Sequence, residues 1–253
     1  MKYALIRPQH YRSLLTELFQ FIKQPTNSIS SRRSQGEKIR DTVGFFILKL
    51  MLAIPVVLFF ALVYDPADVQ GANMAKRFSP LVLLLVGGFI LPLLEEVTFR
   101  LSLVFRPVFL ALSSSGLVYY FITKAIFETK ASAVDDSFLI RIGSSLAVGL
   151  VVFLLLNLKT IGERVSAFWT SHFRLIYYTI CIVFGWMHIV KYELIWLNIL
   201  LLPILTLPQL TSAFIYGYVR VAFGFKYPLM LHMTTNTLAI SLSFLPGGDI
   251  LFF

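Results

Sequence analysis

Two glutamates and an arginine interrupt the apolar stretch LPLLEEVTFR at residues 91–100. Glu96 and Arg100 are four residues apart, so on a helix they share a face and can form an ion pair. Glu95 is five residues from Arg100, about 140° away around a helix axis, and therefore points elsewhere. A buried carboxylate without a nearby cation favours its protonated form, which suits a general acid or base. Glu95 is thus a candidate catalytic residue, although a structural ion cluster explains the three residues equally well.

Two further apolar stretches carry polar side chains that could do chemistry. His188 follows Phe184 by one helical turn in FGWMHI, and His232 and Asn236 share a helix face in LHMTTN. A histidine with an amide donor can stabilise an oxyanion or contribute to a metal shell, and it can equally hydrogen-bond neighbouring membrane helices. Because ionisable side chains in a membrane protein face the bundle interior, we expect Glu95, the two histidines and Asn236 to converge.

The composition is typical of a membrane protein. The chain has 253 residues, of which 57% are hydrophobic and 14% are charged, and its mean hydropathy is +0.79. A soluble domain of this size needs more polar surface. Apolar runs of about 20 residues, the length that crosses a bilayer as a helix, cover 43–63, 79–105, 105–127, 138–158, 174–198, 200–222 and 228–246. We therefore predict an all-α polytopic transmembrane bundle of about seven spans, within a range of six to eight.

The basic residues indicate how this bundle lies in the membrane. Residues 1–42 form a basic N-terminal segment, and 43–253 form the predicted transmembrane domain. The stretch YRSLLTELFQFIKQ (11–24) is too short and too charged to span, which predicts an interfacial amphipathic helix. A polar linker over 27–38 follows it, and polar loops are expected at 64–73 and 157–166. Because Lys and Arg concentrate on the N-terminal side, we predict a multi-pass cell-membrane protein with a cytoplasmic N-terminus.

The net charge of +9 has two readings, membrane contact and nucleic-acid binding. Lys and Arg cluster in the first 42 residues and then near the ends of apolar runs, which favours anchoring to anionic membrane lipids. We therefore predict membrane lipids as partners and no nucleic acid.

The polar residues form three motifs in a fixed order, EExxxR, FxxxH and HxxxN. In this chain they read Glu95-Glu96-Val97-Thr98-Phe99-Arg100, Phe184-Gly185-Trp186-Met187-His188 and His232-Met233-Thr234-Thr235-Asn236. With this order the chain resembles the CPBP family, the CAAX-protease and bacteriocin-processing (Abi) membrane proteases. The stretch before the third motif, with Gly217, Tyr218 and Arg220, also resembles the family's Gly-Tyr-x-Arg lead-in. The resemblance covers residues 80–246.

The resemblance implies a glutamate-dependent intramembrane endopeptidase. Glu95 with His188 would activate the attacking water, Glu96 with Arg100 would hold the site together, and His232 with Asn236 would stabilise the oxyanion. The implied substrates are peptides or lipidated proteins, either of the prenylated CAAX type or bacterial leader peptides. The family is described both as metalloproteases and as metal-independent glutamate proteases. A zinc ion, if bound, would be held by Glu95, His188 and His232.

The chain departs from the family pattern between the first two motifs. Residues 101–187 separate Arg100 from His188, which is long enough for two added spans. An even number of added spans keeps the motif-bearing helices antiparallel, so the site can stay intact, and we expect it to open on the N-terminal side. Two alternatives stay open. One is a non-catalytic immunity or membrane-scaffold member of the same family, and the more distant one is a small proton-coupled transporter.

Overall fold

The computed structural model describes residues 4–27 and 32–245, and these ranges contain helices but no β-strand. The helices are α1 (Pro8–Lys23), α2 (Gln35–Leu62), α3 (Val69–Arg77), α4 (Pro80–Leu85), α5 (Leu91–Phe99), α6 (Pro107–Phe121), α7 (Phe138–Asn157), α8 (Lys159–Ser171), α9 (Phe173–Met187), α10 (Trp196–Leu200), α11 (Leu202–Leu205), α12 (Leu207–Phe223) and α13 (Lys226–Ser243). Short 3₁₀ turns continue α5 and α9, and π-helical turns at Val86–Ile90 and Ile122–Ile126 continue α4 and α6.

Five helical segments in the described ranges are long and apolar enough to cross a membrane. They are Gln35–Leu62, Pro80–Leu103, Pro107–Ile126, Phe138–Asn157 and Phe173–Lys191. Large apolar side chains on their outer faces are exposed, such as Leu139 and Leu154 of α7. A continuous apolar exterior of this kind suits lipid and not water. The predicted all-α membrane bundle is therefore confirmed.

The last two predicted spans correspond to α12 and α13, which differ from the other five. Helix α12 has 17 residues, and every side chain from Ile215 to Phe223 is buried. A helix buried on all its faces belongs at the centre of a bundle, and α12 packs against α2, α9 and α13. Helix α13 carries the polar residues of the third motif on its inner face.

Several predicted boundaries were wrong. Helix α2 begins at Gln35 instead of residue 43 because Ser34 and Glu37 form a reciprocal capping box, with each backbone N–H donating to the other side chain. The linker expected over 27–38 thus stops before Gln35, and its residues 28–31 lie outside the described ranges. The loops expected at 64–73 and 157–166 include the first turns of α3 and of α8.

The predicted amphipathic helix is present as α1, and it packs on the bundle. Leu14, Leu18 and Phe21 are buried against α2 and α12, whereas Phe19, on another face, is 65% exposed. The hydroxyl of Tyr218, near the end of α12, donates to Oε2 of Glu17 at 2.8 Å. Helix α1 and the end of α12 therefore mark the N-terminal side of the bundle.

The opposite end of the bundle is called the far side here. It contains α3, the ends of α2 and α13, and the turn His188–Lys191, because these helices run away from the N-terminal side. An isolated antiparallel bridge between Asp68 and Tyr192 joins the segments that follow α2 and α9. The far side thus combines short connecting segments with the ends of α2 and α13.

Candidate functional site

The predicted ion pair of the first motif is present inside the bundle. Nη1 of Arg100 lies 3.6 Å from Oε1 of Glu96, and the two side chains are 1% and 0% exposed. The guanidinium carbon of Arg100 also lies 3.5 Å from the ring centroid of Phe184, the first residue of the second motif. A cation over an aromatic face is stabilised by the ring quadrupole, most strongly where water is excluded. Phe184 therefore supports the arginine directly.

His232 bridges the two adjacent glutamates. Its Nδ1 lies 2.9 Å from Oε1 of Glu96, and its Nε2 lies 3.5 Å from Oε2 of Glu95. The Glu95 side chain is 19% exposed, whereas the Glu96 side chain is fully buried. Glu95 has no ion-pair partner on its own helix within the described ranges, in agreement with the predicted geometry, and α13 supplies the partner.

His188 lies at the start of the turn that continues α9. Its Nδ1 is 2.7 Å from the backbone carbonyl oxygen of Phe184. A carbonyl oxygen only accepts hydrogen bonds, so Nδ1 is the donor and Nε2 of the neutral ring is left as an acceptor. That tautomer leaves the lone pair of Nε2 available to accept a hydrogen bond.

Asn236 is tied to the π-helical turn before α5. Its Nδ2 donates to the carbonyl oxygen of Gly87 at 3.1 Å. A π-helical turn breaks the regular i→i−4 ladder, so a carbonyl in it can accept a side-chain donor. One amide N–H of Asn236 is therefore used for structure, which leaves the second for the predicted oxyanion contact.

One cavity brings the candidate residues together. It has a volume of about 510 Å³, and Glu95, His188, His232 and Asn236 all line it. Phe184 also lines it, so all three motifs contribute to its wall. The expected convergence of the polar residues is thus observed.

The cavity extends to the far side, and the expectation that it opens on the N-terminal side was wrong. Its lining continues through Ala67, Gln70 and Ala72, which are exposed residues in and before α3, to Phe244 after α13. On the N-terminal side, the buried side chain of Arg220 closes the bundle beneath α5. Its Nε and Nη2 donate to the carbonyl oxygens of residues 100 and 101 at 3.1 and 2.9 Å. Cations at a helix C-terminus satisfy its free carbonyls, which explains the arginine of the Gly-Tyr-x-Arg stretch.

Sequence reasoning missed Lys49 and Lys191, which also line the cavity. Lys49 is 6% exposed, and its Nζ donates to the hydroxyl of Tyr216 at 3.0 Å. The signal was available, since a lysine in the apolar run 43–63 is as unusual as a glutamate in the next one. Lys191 lies inside the predicted apolar run 174–198 and gave the same signal.

The three residues suggested as zinc ligands do not form a metal site as placed. Among the described residues, no group of three or more His, Cys, Asp or Glu side chains could hold a metal ion. Glu95 and His232 are close to each other, but His188 is too far from them for the three side chains to bind one ion. The zinc ion stays a prediction of the family resemblance.

Comparisons of the chain with family models, with curated proteins and with solved structures find no match. The resemblance to the CPBP family therefore rests on the three motifs and their order.

Proposed function

We propose that this protein is an intramembrane endopeptidase in which Glu95 activates the water that attacks a peptide carbonyl. The observation that carries the proposal is the position of His232, which holds Glu96 through Nδ1 and faces Glu95 through Nε2 on a cavity wall. A partly exposed carboxylate beside an imidazole on a cavity wall is what proton transfer from water needs.

Each neighbouring residue has a role in the proposed reaction. Water attacks the carbonyl carbon while Glu95 takes its proton, and that proton then passes to the leaving amine as the C–N bond breaks. His188, whose Nε2 is the free acceptor, assists Glu95 in the first transfer. The second amide N–H of Asn236 and the His232 ring stabilise the oxyanion. Glu96 with Arg100 fixes the orientation of His232.

The far-side opening of the cavity determines from which side of the membrane a substrate would enter. With the N-terminus in the cytoplasm, as the distribution of Lys and Arg favours, a peptide reaches Glu95 from the non-cytoplasmic side. This orientation favours leader or membrane-protein segments exposed there over cytoplasmic CAAX tails.

Cleavage by purified protein in detergent tests the proposal. The substrates are a prenylated CAAX peptide and a panel of peptides spanning bacterial leader cleavage regions, followed by mass spectrometry. We expect the wild type to cleave a peptide of the panel and Glu95→Gln to lose at least ~100-fold in rate, as for removal of a general base. Glu193→Gln, which changes an exposed carboxylate outside the cavity, is the matched control and should leave the rate unchanged. Undiminished cleavage by the Glu95 variant, or cleavage of none of the peptides by the wild type, would refute the proposal.

A further inference from the structure

Two lysines line the cavity that contains Glu95. Lys49 comes from the middle of α2 and Lys191 from the end of the turn after α9. No carboxylate of the described residues lies within 4.0 Å of either ammonium group. Two lysine amino groups thus face one cavity without an ion-pair partner in the described part of the chain.

The ammonium group of Lys49 has donors to spare. It is almost fully buried, and its one hydrogen bond within the described ranges goes to the hydroxyl of Tyr216. An ammonium carries three N–H donors, so two remain for a ligand. A cation in apolar surroundings is costly unless an acceptor or an anion compensates it.

The carboxylates on the cavity wall already have other partners. Oδ1 of Asp68 accepts from the backbone N–H of Gly71 at 2.7 Å and caps α3. Glu95 faces His232, as described above. Neither carboxylate is within ion-pair distance of a lysine, so both lysines remain available to an anion that enters the cavity.

Gln209 adds a hydrogen-bond acceptor to the cavity wall that contains the two lysines. The side chain of Gln209 lines the cavity and is 7% exposed, and its Oε1 has no hydrogen-bond partner in the described ranges. An amide oxygen of this kind accepts from an N–H group. Cationic donors together with an amide acceptor match a carboxylate that lies next to a peptide N–H.

We propose that Lys49 and Lys191 form a subsite that binds a carboxylate of the substrate peptide while Glu95 faces the bond to be cleaved. The peptide nature of the ligand rests on the proposed function; the preference for an anion rests on the two lysines. The carboxylate is either the C-terminal group of the peptide or the side chain of an acidic residue, and both present the same chemistry to the lysines.

Binding to an inactive protein separates this subsite from catalysis. The probes are three fluorescein-labelled nonapeptides of Leu and Ala. One has a free C-terminal carboxylate, one is amidated, and one is amidated with a central Glu. Their affinities for Glu95→Gln protein are measured by fluorescence anisotropy in neutral detergent. We expect at least one carboxylate-bearing peptide to bind about tenfold more tightly than the neutral one, as for one charge-assisted hydrogen bond.

Changes at the lysines identify the source of the preference. Adding Lys49→Gln or Lys191→Gln should abolish it, Lys191→Arg should retain it, and Lys76→Gln, an exposed lysine of α3 outside the cavity lining, should not affect it. A thermal melt shows that each variant is folded, and the two lysine variants serve as independent tests. Preference for the free C-terminus or for the central Glu distinguishes the two sources of the carboxylate.

Equal affinity for all three peptides, no binding of any of them, or a preference that survives both lysine changes would overturn the subsite. These results are independent of whether the wild type hydrolyses a peptide. Failure of the endopeptidase reaction is therefore distinguishable from failure of the subsite.

Discussion

Nδ1 of His232 lies 2.9 Å from Oε1 of Glu96, although 136 positions separate the two residues in the chain. This contact joins α13 to α5 and fixes the imidazole so that its other nitrogen faces Glu95. Two adjacent glutamates consequently have different surroundings. Glu96 is enclosed between a histidine and an arginine, and Glu95 borders the cavity.

This difference predicts that the same substitution costs much more stability at Glu96 than at Glu95. Glu96→Gln should lower the free energy of unfolding by about 3 kcal/mol, because it leaves a buried arginine without its counter-ion. Glu95→Gln should change it by less than about 1 kcal/mol, because its only ion contact in the described ranges is a longer one to His232. Thermal unfolding in detergent, followed by circular dichroism, measures both. Equal losses would contradict the distinct roles assigned here.

The contact of Arg100 with Phe184 predicts a measurable cation–π contribution. Phe184→Leu should cost about 1–2 kcal/mol more stability than Phe99→Leu. Both rings are buried and lie against each other. Arg100 lies over the ring of Phe184 and not over that of Phe99. Chemical or thermal unfolding of the two variants gives the difference. A loss at Phe99 as large as that at Phe184 would show that packing accounts for the whole effect.

Gly116 sets the distance between α6 and α5. A methyl group on it would lie 2.0 Å from Oγ1 and 3.2 Å from Cα of Thr98, three residues after Glu95. Gly116→Ala should therefore destabilise the protein by roughly 1–3 kcal/mol, as overpacking does, and should reduce peptidase activity by displacing α5. Gly143→Ala on α7 is the matched control, because a methyl group there meets nothing within 4 Å. Since alanine favours a helix over glycine, the control should be neutral or slightly stabilising.

The loop between α6 and α7 predicts an acid-sensitive part of the fold. Hydrogen bonds from Ser137 and Thr129, together with Arg141, lower the pKa of Asp135 from 3.8 to about 2. A carboxylate with a lowered pKa contributes stability above its ordinary pKa, and that contribution is lost as the pH falls towards the folded value. The melting-temperature difference between wild type and Asp135→Asn should therefore shrink as the pH falls from about 3.8 to about 2. The exposed neighbour Asp136 provides the control substitution. A difference that is constant with pH would contradict this role of Asp135.

Helical spacing was enough to predict part of the site. The four-residue interval between Glu96 and Arg100 predicted their pairing, and the five-residue interval excluded Glu95 from it, because both relations depend only on the geometry of one helix. Apolar runs likewise located most of the spans to within a few residues. The expected convergence followed from the cost of ionisable groups in lipid.

Contacts between helices could not be predicted from the spacing of residues within one helix. Nothing in the spacing of the third motif indicates that one imidazole reaches both glutamates, since that depends on how α13 packs on α5. The π-helical turn whose carbonyl oxygen accepts a hydrogen bond from Asn236 could not be predicted either, because an apolar run with two glycines does not indicate one. The side on which the cavity opens was mispredicted because the burial of Arg100 and Arg220 at the N-terminal side depends on tertiary packing.

The α6–α7 hairpin, which occupies much of the interval between the first two motifs, contributes no residue to the cavity wall described here. It packs against α5 through α6, and its other apolar faces are exposed, with Leu139, Ile140 and Leu150 all more than half exposed. Changes on those faces can alter how the protein matches bilayer thickness or which neighbours it meets in the membrane, while the chemistry of the cavity stays as it is. The exposed faces of this hairpin and the cavity wall thus have no residue in common, so a substitution on one surface does not touch the other.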